Sequence, residues 1–436
     1  MTTTEQNLLS QLGDPAVVAN PYPVLAALRE ASPYATLGGA LIVLGRHADC
    51  SRILRDSRVS SERGTSRLSP PDGPRRTGMS FLSMDPPDHT RLRRLVSKAF
   101  TPRMVARLAP RIQTVTDELL SAAAQQSPHE LELVDQLAYP LPVRIICELL
   151  GVPAGDHARF AGWSARLAHS LQPQFVAPEE GAADASAARE EFTAYFRELI
   201  ADRRADPGDD LLTELIRAED EGSHLTEAEL ISTAILLLVA GHETTVGLIS
   251  NAVLALLRHP DQLAALRADP GLAAGAVEET LRYDPPVQLT ARVARGTIQL
   301  GDLEATEGTL ILVLLAATGR DPEAFTHPDR FDITRDGASQ KGAGHLAFAA
   351  GGHFCLGAPL ARLEAATALT AFARRVTAPE LDGDGLHYKP NFNLRGPDRL
   401  LIRTAGRTAI SLRQPSELIR RVIEMTGVSE ILVIET

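Results

Sequence analysis

The chain has 436 residues, too many for one small domain and too few to require three, and its 44% hydrophobic content can bury a sizeable core. Its net charge of −11 and aromatic content of 4% exclude a general nucleic-acid or anionic-membrane binder, which would need a dominant basic face. Three cysteines are too few and too scattered for a disulfide framework, so the expected compartment is a reducing cytoplasm.

The amino terminus has neither the basic region nor the apolar region of a signal peptide. The longest apolar helical run, Ala234–Ala240, falls far below the roughly 20 residues that a membrane span needs. These features predict a soluble cytoplasmic protein that binds neither membrane nor nucleic acid.

Helical periodicity dominates the chain, and strand-like runs are short. We predict helices over Tyr22–Arg29, His89–Phe100, Met104–Ala124, Leu141–Leu150, Ala188–Arg204, Leu211–Glu221, Glu227–Arg258, Asp261–Asp269, Ala274–Tyr283 and Gly357–Val376. We predict strands over Ala40–Leu44, Thr290–Ala294, Thr297–Leu300 and Thr309–Leu315. This balance indicates a mainly α fold with a minor β region.

Two segments, Ser60–Ser83 and Pro173–Ala188, show no periodicity and are rich in small residues and proline. Long irregular connections in a compact domain are usually functional lids or disordered. Taken alone, the two segments fit simple surface loops equally well.

The longest predicted helix, Glu227–Arg258, has clear boundaries. Thr226 and Glu229 form a capping-box pattern at its start, and His259 with the following proline ends it. At 1.5 Å per residue this helix is roughly 50 Å long, enough to cross the whole molecule.

An acid and two alcohols interrupt the apolar centre of this helix, at Glu243, Thr244 and Thr245. A buried carboxylate is unfavourable unless it is paired or used, which favours a functional site. Threonine hydroxyls can also bond back to the carbonyl four residues earlier and bend the helix, so a structural kink is the alternative.

A glycine-rich segment, Phe348–Gly357, contains Cys355 and leads directly into a predicted helix. A helix N-terminus stabilises an anion, so this cysteine is expected to be a thiolate that ligates a metal or acts as a nucleophile. No second cysteine lies nearby for a tetrathiolate site, whereas a lone thiolate suits haem iron. Cys50 and Cys147 are interpreted as small buried apolar residues.

Together these segments resemble the cytochrome P450 haem-thiolate monooxygenases, specifically the soluble bacterial type. The ligand-loop pattern F-G-x-G-x-H-x-C-x-G is matched at Phe348, Gly351, His353, Cys355 and Gly357, with Ala349 in place of the first glycine. Four further motifs occur in the family's order: Met84–Arg93, Ala240–Thr245, the E-x-x-R pair Glu279 and Arg282, and Phe325–Phe331 with Arg330.

The resemblance implies the cytochrome P450 fold, with a long central helix over haem b and small antiparallel sheets. It implies that Cys355 is the axial ligand of the haem iron and that the loop residues Phe348, Gly351 and Gly357 shape its surroundings. The resemblance assigns the haem propionates to His89, Arg93, Arg292 and His353. Glu279, Arg282 and Arg330 are expected to form a buried structural ion network rather than a chemical site.

The resemblance also makes Glu243 and Thr244 the pair that delivers protons during the activation of dioxygen. His242 occupies the variable position of this motif and is expected to face away from the haem. The predicted substrate pocket contains Leu236, Val239, Ala240, Val287, Leu289, Thr290 and Phe392.

The chain has no flavin or iron–sulfur motif, so we expect electrons to come from a ferredoxin and its reductase. A basic patch of Arg91, Arg94, Lys98, Arg103 and Arg362 is the expected dock on a protein that is predicted to be a monomer. Unrelated surface charges are the alternative interpretation of this patch.

The resemblance assigns residues 1–404 to the catalytic domain and leaves residues 405–436 as an extension. Pro415–Met425 is predicted as an amphipathic helix and Ile431–Ile434 as a strand. They weakly resemble the closing helix and strand of a STAS-type domain, and packing, disorder and a gene-fusion remnant remain alternatives.

The expected reaction is hydroxylation or epoxidation of a hydrophobic small molecule, such as a polyketide, macrolide or terpenoid in secondary metabolism. Oxidative coupling or desaturation by the same enzyme class is one alternative. A haem protein that binds ligands or senses gas without turnover is another, which the intact Glu243 and Thr244 pair disfavours because a sensor needs no proton relay.

Overall fold

Helices supply most of the architecture in the computed structural model, which describes residues 8–69, 80–168, 182–220, 222–336, 343–405, 410–413 and 432–435. The helices are α1 Pro15–Ala19, α2 Tyr22–Glu30, α3 His47–Ile53, α4 Asp88–Ala99, α5 Pro102–Arg107, α6 Ala109–Gln126, α7 Pro140–Leu149, α8 His157–Ala168, α9 Ala182–Ala205, α10 Leu211–Arg217, α11 Glu227–Arg258, α12 Pro260–Ala268, α13 Ala273–Tyr283, α14 Leu315–Thr318 and α15 Ala358–Arg375.

The strands are short and form small sheets: β1 Tyr34–Thr36, β2 Leu41–Leu44, β3 Val59–Ser60, β4 Glu130–Glu132, β5 Glu219–Asp220, β6 Ser223–His224, β7 Thr290–Ala294, β8 Ile298–Leu300, β9 Leu303–Ala305, β10 Leu310–Val313, β11 Glu380–Tyr388, β12 Pro397–Arg403, β13 Ile410–Arg413 and β14 Leu432–Glu435. The largest sheet has the order β1-β2-β10-β7-β3, and only its β2–β10 pair is parallel. A second, antiparallel sheet has the order β11-β12-β4.

The central helix α11 organises the main core. It packs against α7, α8, α9, α13 and α15, and its capping box at Thr226 and Glu229 is formed. Among the described residues it is the one helix long and apolar enough to cross a membrane, with a mean hydropathy of 1.4. Because 67% of that stretch is buried inside the protein, it is a core helix here.

The helix predicted over Met104–Ala124 is wrong in one respect, because the structure contains two helices there. The first ends at Arg107, and the second begins at Ala109 with Pro110 in its first turn. Proline is favoured at the start of a helix and cannot continue the hydrogen bonds of one, so Pro110 marks the boundary that periodicity alone missed.

The sequence patterns also failed to predict β11 and β12. The β11 strand contains Gly383 and Gly385, and its register against β12 shifts between Leu381 and Leu386. Such a bulge destroys the alternation of polar and apolar residues on which strand prediction depends.

Two strands of the extension are described. β13 and β14 pair in parallel, with Ile410 opposite Leu432, and β14 lies within one residue of the predicted strand. The predicted helix Pro415–Met425 lies outside the described residues.

Candidate active site

The loop before Cys355 is a tight turn, closed by a hydrogen bond from the Cys355 amide to the Phe348 carbonyl oxygen (3.0 Å). Gly351 has a φ of +70°, and a Cβ atom there would lie 2.5 Å from the Leu54 carbonyl oxygen, so only glycine fits. Ala349 has a φ of +56°, also in the left-handed region. The alanine that replaces the family's first glycine therefore keeps the turn and carries backbone strain.

The thiol of Cys355 sits at the N-terminus of α15. Burial raises the pKa of this thiol, while hydrogen bonds from the Gly357 and Ala358 amides and the charges of Arg93 and Arg362 lower it. The surroundings thus contain the donors and cations that stabilise a thiolate, against the opposing effect of burial.

Four basic side chains gather beside this loop. The His89 and His353 rings lie 4.0 Å apart between centroids, and the Arg93 guanidinium donates to the Phe354 carbonyl oxygen. The Arg292 side chain is 5% exposed, and its Nη1 donates to the Ala291 carbonyl oxygen (2.9 Å). The structure therefore brings together the four residues that the sequence assigned to the propionates.

The positive charge of this cluster comes from its two arginines. Burial and the neighbouring cations lower the pKa of His353 to about 3, and burial followed by the charge of Arg63 lowers that of Arg292 to about 10, with Asp85 opposing both shifts. Within the described ranges, Arg292 makes no ion pair with a carboxylate.

One ring atom of the cluster, His89 Nε2, is buried and has no hydrogen-bond partner among the residues that the structure describes. Buried donors and cations of this kind require an anion with oxygen acceptors. The two propionates of haem, with its iron on a single thiolate, fit this donor set, and we conclude that the residues present fit the group.

The buried ion network differs from the expectation in one member. Glu279 accepts two hydrogen bonds from Arg282, both of 2.8 Å, and a third from Arg335 Nε at 3.0 Å. The Arg330 side chain is 65% exposed and lies 3.8 Å from Asp332. Arg330 contributes only its backbone carbonyl, which Arg282 and Arg335 share, so its assignment to the network is wrong and Arg335 takes its place.

In the centre of α11, Thr244 and Thr245 donate to the carbonyl oxygens of Ala240 and Gly241, each at 2.8 Å. The helix continues unbroken through these residues. Glu243 is buried, and its Oε2 lies 2.7 Å from Lys389 Nζ, just beyond β11.

Glu243 has a second basic neighbour. His242 Nε2 lies 3.3 Å from Glu243 Oε1, while His242 Nδ1 contacts Ser164 Oγ (3.2 Å) and the Leu238 carbonyl oxygen (3.1 Å). Burial raises the pKa of Glu243, but the contact and charge of His242 and the ammonium of Lys389 outweigh it and lower the pKa to about 2. The carboxyl is therefore ionised at neutral pH.

Sequence reasoning predicted that His242 is packed away from the haem and did not foresee its contact with Glu243. It missed Lys389 entirely, although Lys389 is one of only three lysines in an arginine-rich chain. The pairing depends on a turn between β11 and β12, two strands that were not predicted.

The predicted pocket residues divide into two groups. Leu236, Val239 and Ala240 lie on the central helix. Thr290 is the first residue of β7, and Val287, before that strand, forms an isolated bridge with Leu394. Leu289 and Phe392 are instead buried in the core formed by α2, β2 and β10, and packing is the contribution that the structure shows for them.

The predicted basic dock is partly neutralised. Arg91 pairs with Glu229, and Arg362 binds Glu278 through two hydrogen bonds of 2.6 and 3.0 Å. Arg94, Lys98 and Arg103 are exposed to solvent along α4 and the start of α5.

Known proteins match this chain over most of its length. A family model described as Cytochrome P450 matches residues 37–270 and 272–384. Cytochrome P450 107B1 of Saccharopolyspora erythraea is 46% identical over 378 residues, which cover 83% of this chain and 88% of that protein. The 6-deoxyerythronolide B hydroxylase of the same organism is 41% identical over 325 residues, covering 74% of this chain and 77% of that protein.

A solved structure, Mycobacterium smegmatis CYP164A2 with econazole bound, matches with a TM-score of 0.84 at 46% identity. The match covers 92% of this chain and 100% of that chain. The fold, the arrangement around Cys355 and these relatives agree, and the chain belongs to the cytochrome P450 family of haem-thiolate monooxygenases.

Proposed function

We propose that this protein binds haem b through Cys355 and inserts one oxygen atom from dioxygen into a hydrophobic small molecule. The observation that carries the proposal is the cluster of His89, Arg93, Arg292 and His353 beside a cysteine at a helix N-terminus. His89 and Arg292 are buried there, and among the described residues no carboxylate pairs with either arginine. Bound haem supplies the oxygen chemistry. The chain supplies the thiolate, the propionate partners and the proton donors.

The proposed substrate is a bulky hydrophobic product of secondary metabolism, of the polyketide, macrolide or terpenoid class. The helix face before Glu243 carries Leu236, Val239 and Ala240. These side chains are apolar and would exclude water from the substrate carbon that receives the oxygen atom. A relative that is 41% identical is named as a hydroxylase of 6-deoxyerythronolide B, and that relative supports the size and polarity of the substrate.

Protons are proposed to reach the active site through Glu243 and Thr244. Glu243 is ionised and buried, so its oxygens can accept hydrogen bonds from the proton donors of a relay, and the Thr244 hydroxyl lies in the next position of the helix. In the structure this hydroxyl donates to the Ala240 carbonyl oxygen, and it can rotate to serve an oxygen acceptor on the haem side.

The test is a Thr244→Ala substitution with Thr245→Ala as its matched control. Because positioned proton donors contribute about 10²–10⁴-fold to a rate, we expect Thr244→Ala to lower the product formed per electron pair by roughly tenfold or more. The measurement uses the holoenzyme, a supplied ferredoxin system and a ligand chosen from hydrophobic compounds, including 6-deoxyerythronolide B, by its effect on the haem spectrum.

Thr245→Ala removes an equivalent hydroxyl and should change the product yield much less. Equal yields in wild type and Thr244→Ala would remove Thr244 from the relay. A wild-type holoenzyme that binds ligands but never forms product would favour the ligand-binding alternative.

We further propose a ferredoxin and its reductase as electron donors, with Arg94, Lys98 and Arg103 as the exposed charges of the dock. A monomeric protein in the cytoplasm is the proposed state, consistent with its composition.

Residues 1–404 are proposed as the catalytic domain and residues 405–436 as an extension. In support, β12 ends at Arg403, and among the described strands β13 and β14 pair only with each other.

A further inference from the structure

We propose that Lys389 is a positioning residue that holds the Glu243 carboxylate in place for proton transfer, acting from the turn between β11 and β12. The inference rests on the proposed function, because it assigns a partner to the carboxylate of that relay. Lys389 is not part of any motif by which the chain resembles its family.

The contact is direct and mostly shielded from water. Lys389 Nζ donates to Glu243 Oε2 at 2.7 Å, and the exposed fractions of the two side chains are 24% and 7%. A charge-assisted hydrogen bond of this length in a low-dielectric site fixes the position of both groups far better than a surface ion pair does.

Two other side chains lie near the carboxylate, and neither of them has the hydrogen-bond geometry of Lys389. His242 Nε2 lies 3.3 Å from the other oxygen and helps to lower the pKa of Glu243, but among the described residues its geometry is that of an ion pair rather than of a hydrogen bond. Tyr139 packs edge-on against His242 with 5.6 Å between the ring centroids. Lys389 is thus the one donor, among the described residues, with hydrogen-bond geometry to the Glu243 side chain.

Two other basic side chains of this region have other partners. Arg395 binds Asp284 and the carbonyl oxygens of Val18 and Ala19, and Arg403 binds Asp382. Lys389 alone therefore carries a cation from the β11–β12 turn to the central helix in the described structure.

The three side chains of this site differ in their exposure to solvent. His242 is fully buried and Glu243 nearly so, whereas the Lys389 side chain is partly open to solvent. Lys389 is therefore the solvent-facing partner of the buried carboxylate.

The first test measures the coupling of the two side chains without catalysis. Urea unfolding of the holoenzyme is followed for wild type, Lys389→Met, Glu243→Gln and the double variant. If the pair is intact in solution, the shift in unfolding midpoint of the double variant is clearly smaller than the sum of the single shifts. Additive shifts would overturn the proposed contact.

The second test measures positioning, with 6-deoxyerythronolide B or another hydrophobic ligand that shifts the haem spectrum as the substrate. Lys389→Met is expected to lower the product per electron pair roughly fivefold or more, while ligand affinity stays within about twofold. Lys389→Arg should restore most of the yield because it keeps the cation. In a Glu243→Gln background, Lys389→Met should add little further loss.

Arg399→Met is the matched control, since Arg399 is an exposed cation on the neighbouring β12 strand. A yield in Lys389→Met equal to that of wild type, or the same loss with and without Glu243, would overturn the positioning role. A wild-type enzyme without product would contradict the proposed function instead, and the unfolding test would still decide the contact.

Discussion

Ala349 shows how a single residue can depart from a family pattern and keep its geometry. The pattern predicts glycine there, and the backbone has the left-handed φ that explains why. For a residue with a Cβ atom this conformation costs roughly 1–2 kcal/mol, whereas glycine gives up about 0.5–1 kcal/mol of chain entropy on folding.

We therefore expect Ala349→Gly to stabilise the protein by about 0.5–1 kcal/mol. The neighbouring Ala350 has an extended φ of −153°, so Ala350→Gly should destabilise it by about that amount or more. Urea denaturation of both variants measures the difference, and two changes of the same sign would contradict the assigned backbone conformation.

Arg330 was the residue named from the sequence for the ion network, and Arg335 was not considered. Both arginines follow Phe325 within ten positions, and the resemblance pointed only to the first. Which guanidinium reaches Glu279 depends on the path of the chain after Phe331, and that path is set by packing against α12 and α13. Local sequence does not contain this information.

At the scale of elements, the central helix was predicted to the residue because its capping box, apolar periodicity and terminal proline act locally. The β11–β12 turn was not predicted, because glycines and a bulge obscure its strands. The partner of Glu243 comes from that turn, so this part of the site could not be predicted either.

The helix α15 contains an unusual carboxyl group. Glu364 is 2% exposed, and burial raises its pKa from an ordinary value of 4.5 to about 8. The folded protein favours the protonated acid, so its contribution to stability is complete below pH 4.5 and is lost as the pH rises through 8.

Glutamine keeps the shape of this group without an ionisable proton. We expect the unfolding free energy of Glu364→Gln to be higher than that of wild type by less than about 1 kcal/mol at pH 5 and by about 3 kcal/mol at pH 7. Urea unfolding at both pH values measures this difference in unfolding free energy. Glu214→Gln, at a site 59% exposed, is the control and should show no such widening. A gap for Glu364→Gln that stays constant with pH would contradict a buried neutral acid.

At the scale of the whole molecule, composition and helical periodicity were enough to predict a mainly α fold, and the spacing of five motifs was enough to predict the family. Motifs far apart in the chain, such as His89 and His353, do meet, since α4 and the Cys355 loop lie side by side. The sequence alone could not predict which loop residues contact which helices. Those contacts depend on how the strands near the end of the chain pair with one another.

A cluster of aromatic side chains lies between α8 and α9. Phe160 contacts Trp163, Phe192, Tyr195 and Phe196 with ring centroids 4.8–5.7 Å apart. Packing of this density joins the two helices into one unit beside the central helix, so a movement of either would carry both.

The central claim is that Cys355 is the axial ligand of a bound haem. Its most direct test is the carbon monoxide difference spectrum of the dithionite-reduced holoenzyme, measured for wild type, Cys355→His and Cys147→Ala. Cys147 is a buried cysteine in α7, away from the loop, and serves as the control. We predict the long-wavelength band of a thiolate-ligated haem in wild type and Cys147→Ala, and the short-wavelength band of an imidazole-ligated haem in Cys355→His. A long-wavelength band that persists in Cys355→His, or its absence from the wild-type holoenzyme, would contradict the account.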